Sequence, residues 1–83
     1  MSNIIKVRLT ENDHFVVTDP DTGNERVFNS ILIHEPRFIV DASVKNFFCE
    51  HFPGKTEWEC TAEALDRIRG ITDFNCLADE VRV

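Results

Sequence analysis

The sequence predicts a small α+β domain, and three features point to it. Apolar residues alternate with polar ones before about Asp41 and recur at helical spacing after it. Turn-forming residues punctuate the first part, at Glu11-Asn12-Asp13 and again over Asp19-Pro20-Asp21-Thr22-Gly23-Asn24. The apolar supply suffices for a core, since 42% of the 83 residues are hydrophobic and seven are Phe. A disordered acidic tail would be aromatic-poor. The expected fold is an antiparallel sheet of three to four strands with two helices packed on one face. It forms a single domain over residues 1–83, strand-rich over 1–41 and helix-rich over 42–78.

In chain order, Ile5, Val7 and Leu9 alternate with Lys6 and Arg8, the period of a half-buried strand. His14 to Thr18 is β-branched and aromatic, so a second strand follows the first turn. In the second turn Pro20 presets φ, while Gly23 takes positive φ without steric cost. A third strand is expected over Glu25 to Ile33, antiparallel to the second. Pro36 interrupts, and Arg37 to Val40 reads as a short fourth strand with the proline just outside it.

Beyond that point Asp41 reads as the cap of a helix carrying Val44, Phe47, Phe48 and Phe52 at i, i+3, i+4 and i+8, ended by Pro53-Gly54. Thr56-Glu57-Trp58-Glu59 has the form of a capping box. It predicts a second helix with the stripe Trp58, Ala62, Leu65 and Ile68, closed by Gly70. The same residues through Cys60 also alternate, which is the competing strand reading. In the tail, Phe74 and Leu77 fit a turn of helix, and Val81-Arg82-Val83 fits a closing fifth strand. Phe47, Phe48, Phe52 and Phe74 are expected to fill the core with Trp58 and Leu65.

Fifteen acidic residues oppose nine basic ones, a net charge of −6. That balance disfavours nucleic acid and anionic membrane as direct partners and favours basic surfaces. Met1-Ser2-Asn3 lacks a basic leader, Ile4-Ile5 is followed at once by charge, and no run approaches the ~20 apolar residues of a span. Three cysteines without an export signal read as reduced thiols, so a cytoplasmic protein is expected.

Catalytic and metal motifs fail on spacing. Cys49 and His51, two apart on a helix, point away from each other, and Cys60 and Cys76 form no zinc-type pair. No sequence feature places a histidine beside a thiol. Asp19-x-Asp21-x-Gly23-x-Glu25 has Gly at the fifth position of a calcium loop instead of the sixth, and Ser30 at the twelfth. Gly54-Lys55-Thr56 lacks the earlier glycine of a P-loop, that position being Cys49. Lys6, Arg8 and Arg26 could build a local basic face, although solvated sheet charge explains them as well. No catalytic residue, metal or cofactor is therefore expected.

One acidic arrangement stands out. On the predicted second helix, Glu59, Glu63 and Asp66 fall at i, i+4 and i+7 in one row beside the apolar stripe. A solvated face relieved by Arg67 is the bland account. The sharper expectation is a surface for a basic protein partner, such as a nucleic-acid-handling complex whose groove normally holds phosphates. In class, though not in motif, such a chain resembles the small inhibitors that mobile elements direct against host restriction or CRISPR machinery. A self-associating subunit and a small Cys/His metal protein or enzyme are the alternatives.

Overall fold

Side-chain alternation decides which way the first strand faces. Ile5 and Val7 are buried, while Lys6 and Arg8 between them are exposed. The computed structural model describes residues 2–81, with side chains described for 2–73. Strand β1 (Ile4–Leu9) runs antiparallel to β2 (His14–Thr18), which runs antiparallel to β3 (Glu25–Asn29). The β1–β2 loop closes with Asp13 in the left-handed region, φ 63°, a conformation that Asp tolerates. Asp13 is held there because its Oδ2 accepts from Arg67 Nη2 at 2.7 Å and Ser30 Oγ at 3.2 Å. The β2–β3 turn closes with the Asp19 amide donating to the Asn24 carbonyl at 2.8 Å, with Gly23 at φ 79°.

β3 is shorter than its apolar pattern predicts. Asn29 Oδ1 accepts from the Ile31 amide at 3.0 Å and starts a 3₁₀ helix, Ser30–His34, which buries Ser30 and Ile33. A spacing of three satisfies that helix's period, so the expected strand over 30–33 gives way to it. Residues 37–40 form no strand. Helix α1 (Asp41–Glu50) follows, with Val40 as its N-cap residue. Asp41, expected as the cap, is the first helical residue instead, where its charge suits the helix dipole.

The fourth strand comes from the segment expected to begin the second helix. β4 (Glu57–Cys60) pairs with β1 in parallel, Ile5 opposite Trp58 and Val7 opposite Cys60. The sheet is thus mixed, in the order β3-β2-β1-β4, and the fold is α+β. Pairing wins over the capping box because it satisfies β1's free edge and turns Trp58 and Cys60 toward the core, with Glu57 and Glu59 outward. The true cap lies five residues on: Thr61 Oγ1 accepts from the Ala64 amide at 3.3 Å and opens α2 (Ala62–Val81).

One apolar cluster joins Ile5, Val7, Phe15 and Val17 of the sheet to Val44 and Phe48 of α1 and Ala64, Ile68 and Ile71 of α2. Both helices therefore cover the same sheet face. Phe52 is buried and Phe47 and Trp58 partly so, while Leu65 is only half-buried and lies outside the cluster. The side chain of Phe74 and the expected strand residues Arg82 and Val83 lie outside the described residues; Val81 ends α2.

Gly70, expected just past a helix end, lies inside α2, and a Cβ built on it meets nothing within 4 Å. Glycine there weakens the helix with no packing return. Gly70→Ala should stabilise the protein by about 0.5–1 kcal/mol and raise its melting temperature by several degrees. A melting temperature that stays level or falls would contradict an unbroken helix through this position.

Candidate acidic surface

The predicted acidic row is divided between two elements. Glu59 stands on β4, on the sheet face away from the helices and in register with Lys6. Glu63 and Asp66 stand on the first two turns of α2. The row Glu59–Glu63–Asp66 on one helix does not exist, because residues 57–60 left that helix for the sheet. All three acids are exposed.

The α2 surface carries a different acid set. At about 100° per residue, Glu63, Asp66 and Asp73 fall within one arc of roughly 80°, away from buried Ala64, Ile68 and Ile71. Asp73 belongs to this face and could be found only once the helix was known to run on past Gly70. Gly70 falls in the same arc and adds no side chain.

The basic residues that could neutralise this face are engaged elsewhere. Arg67 reaches Asp13 at 2.7 Å, and Arg69 reaches Asp41 at 3.3 Å. Lys45 pairs with Glu57, Arg8 with Glu25 and Arg37 with Glu35. The bland account required Arg67 to relieve the acids, and it faces the β1–β2 loop instead. Among the described residues, Glu59, Glu63, Asp66 and Asp73 make no ion pair.

The other acids of the hairpin hold a lysine. Lys55 Nζ donates to Asp21 Oδ2 at 2.6 Å, the Ser2 carbonyl at 2.7 Å and Asp19 Oδ1 at 3.1 Å. Its side chain is 5% exposed, so all three ammonium protons are committed inside the protein. The hydrogen bond to Asp21 outweighs burial and raises the Lys55 pKa. Burial opposes the Asp19 carboxylate, but the Asp21 amide and Lys55 prevail and lower its pKa; Lys55 also lowers that of Asp21. The calcium-like spacing and the Gly-Lys-Thr triplet are two halves of one internal clasp.

The two thiols among the described side chains, Cys49 and Cys60, are poor nucleophiles. Burial raises the Cys49 pKa and pushes that of Cys60 up to about 11. Cys49 Sγ donates to the Glu57 carbonyl at 3.8 Å. Cys60 lies on a strand, half-buried on its core side. His51 Nδ1 lies 2.9 Å from the Phe47 carbonyl, with its ring against Phe28 and Phe47. No three His, Cys, Asp or Glu side chains come together as metal ligands among the described residues. The imagined basic face is divided as well, since Lys6 and Arg8 lie on the open sheet side and Arg26, in register with Val17, on the other.

No helix of the described residues is long and apolar enough to cross a membrane. Comparison with protein-family models, curated proteins and solved structures finds no match to this chain.

Proposed function

We propose that this chain is a non-enzymatic binding protein, acting in the cytoplasm, that docks an acidic surface on a basic, nucleic-acid-handling protein partner. The supporting observation is the unneutralised set Glu63, Asp66 and Asp73 on α2, with Glu59 nearby in sequence on β4 and Arg67 and Arg69 drawn away. Like charges at one-turn spacing weaken a helix by a few tenths of a kcal/mol per pair. Internal partners for Glu63 and Asp66 would remove that cost, and the fold directs its arginines to other carboxylates. Glu63 and Asp66, one turn apart, lie about 5–6 Å from each other, close to the interval between phosphates on a strand, and Asp73 stands two turns further on. A groove built for phosphates would accept such a face. Small size, net negative charge and the raised pKa values of Cys49 and Cys60 suit an inhibitor of the type mobile elements use, a likeness of class alone.

The test starts with capture of partners from the native host. The triple variant Glu63→Gln, Asp66→Asn, Asp73→Asn should stay folded, since exposed charge substitutions change stability within about ±0.5 kcal/mol. Its association with the captured partner should slow roughly tenfold at low salt and lose most of its salt dependence. Glu59→Gln alone should have a smaller effect, because Lys6 stands opposite it. An unchanged rate and salt slope in the triple variant would remove α2 from the interface.

A further inference from the structure

We infer that the free edge of β3 pairs with the β3 edge of a second copy of this chain, antiparallel and centred on Val27. This inference does not rest on the acidic surface. Among the described residues β3 is an outer strand of the sheet, and one side of its backbone has no strand neighbour. The hydrogen-bond phase fixes which groups face outward. The Asp19 amide bonds the Asn24 carbonyl, so bonded pairs alternate from there, and Arg26 and Phe28 bond toward β2. Glu25 and Val27 turn their backbone groups to the open edge, and so does the Asn29 amide, while the Asn29 carbonyl opens the 3₁₀ helix.

Charge and the length of ladder used together select the register. A two-fold antiparallel pair sets residues of equal parity opposite each other, so that both copies keep the same sheet face. Centring on Glu25 opposes two glutamates, and centring on Arg26 opposes two arginines. Centring on Val27 sets Glu25 against Asn29, Arg26 against Phe28 and Val27 against itself. It uses all five strand residues and opposes no like charges. Val27 is 61% exposed and Ile31, just beyond the strand, is 70% exposed; both are apolar residues of this rim. The one acid of the strand is drawn inward: Glu25 Oε2 accepts from Thr18 Oγ1 at 3.3 Å and lies 3.9 Å from Arg8 Nη2. An edge with unpaired backbone groups is a template for another strand.

The opposite edge fails the same analysis. Self-pairing of β4 centred on Trp58 sets Glu57 against Glu59, and centring on Glu59 sets it against itself. The second copy therefore fits β3 and not β4.

A five-residue ladder buries less than the ~1,200 Å² of a stable interface, so the dimer should form at roughly a hundred micromolar and above. Sedimentation equilibrium from about 10 µM to 1 mM should show a monomer passing to a dimer. Val27→Lys, which opposes two ammonium groups, should remain monomeric with an unchanged melting temperature. Val27→Cys, with Cys60 and Cys76 changed to Ser, should form an intermolecular disulfide under mild oxidation, because a bonded antiparallel pair sets Cα atoms about 5.5 Å apart. Asn29→Cys in the same background should not, because its counterpart lies more than about 13 Å away along the strand. A monomer at every concentration would overturn the proposal, as would a dimer that survives Val27→Lys. Crosslinking of Asn29→Cys as fast as Val27→Cys would overturn the register.

Discussion

Phe48→Ala should cost about 3–5 kcal/mol and leave little of a fold worth about 5–10 kcal/mol. Phe48 is fully buried and is the ring on which the sheet and α1 converge. Its centroid lies 4.8 Å from that of Phe28, 6.0 Å from those of Phe15 and Phe47, and 6.4 Å from Trp58. Truncation opens a void bounded by three strands and a helix that are fixed by their own hydrogen bonds, so collapse into it is restricted. Urea unfolding followed by Trp58 fluorescence reads the loss. Trp58→Ala should cost less, because Trp58 sits on an edge strand and is only partly buried. A Phe48→Ala midpoint within experimental error of the parent would mean that α1 presents another face to the sheet.

Lys55→Met should rank next in damage at neutral pH, exceeding Asp21→Asn. It leaves Asp19, 6% exposed, as a buried carboxylate without its cation. The clasp also predicts how stability follows pH. Asp19 and Asp21 titrate below their ordinary 3.8 when folded, so the unfolded chain takes up protons first on acidification. Their contribution is complete above about pH 4 and is lost as pH falls through the lower folded values. Lys55 titrates above its ordinary 10.5, so its contribution is complete below that pH and disappears as pH rises through the folded value. The urea midpoint of the parent should thus be level in between and fall at both ends. In Lys55→Met the acid fall should shrink, since burial then favours the protonated Asp19. An equal acid fall in parent and variant would show that the clasp does not carry the pH dependence.

The first two strands, both hairpin turns and the α1 stripe were legible in the sequence, because each is decided by residues within a few positions of one another. The miss at residues 56–61 has a different cause. Thr56-Glu57-Trp58-Glu59 satisfies a local helix signal, and only the free edge of β1, distant in sequence, makes strand pairing the better use of those residues. The acidic row broke with it, and because α2 also runs on past Gly70, Asp73 joined the helix face and Gly70 passed from terminus to interior. Lys55 was missed for a similar reason. It lies between α1 and β4 while its carboxylate partners lie on the β2–β3 turn, and neither the triplet around it nor the acid spacing of the turn hints that the two meet. Asn29 did offer a local signal, since Asn is a favoured cap, but Ile31 and Ile33 alternate well enough to hide it.

Parallel docking of β4 on β1 gives the protein an order of assembly. The meander β1-β2-β3 closes through short loops, whereas β4 reaches β1 across more than fifty residues. Closing the longer loop costs about 1.5 kcal/mol more chain entropy than closing either hairpin, so the hairpins should be in place before β4 arrives. Until the ribosome has released Cys60, the strand Ile4–Leu9 waits with one side of its backbone bare. That interval is when a nascent chain of this protein is most exposed to wrong strand partners, and the loop and helix that lead to β4 set its length.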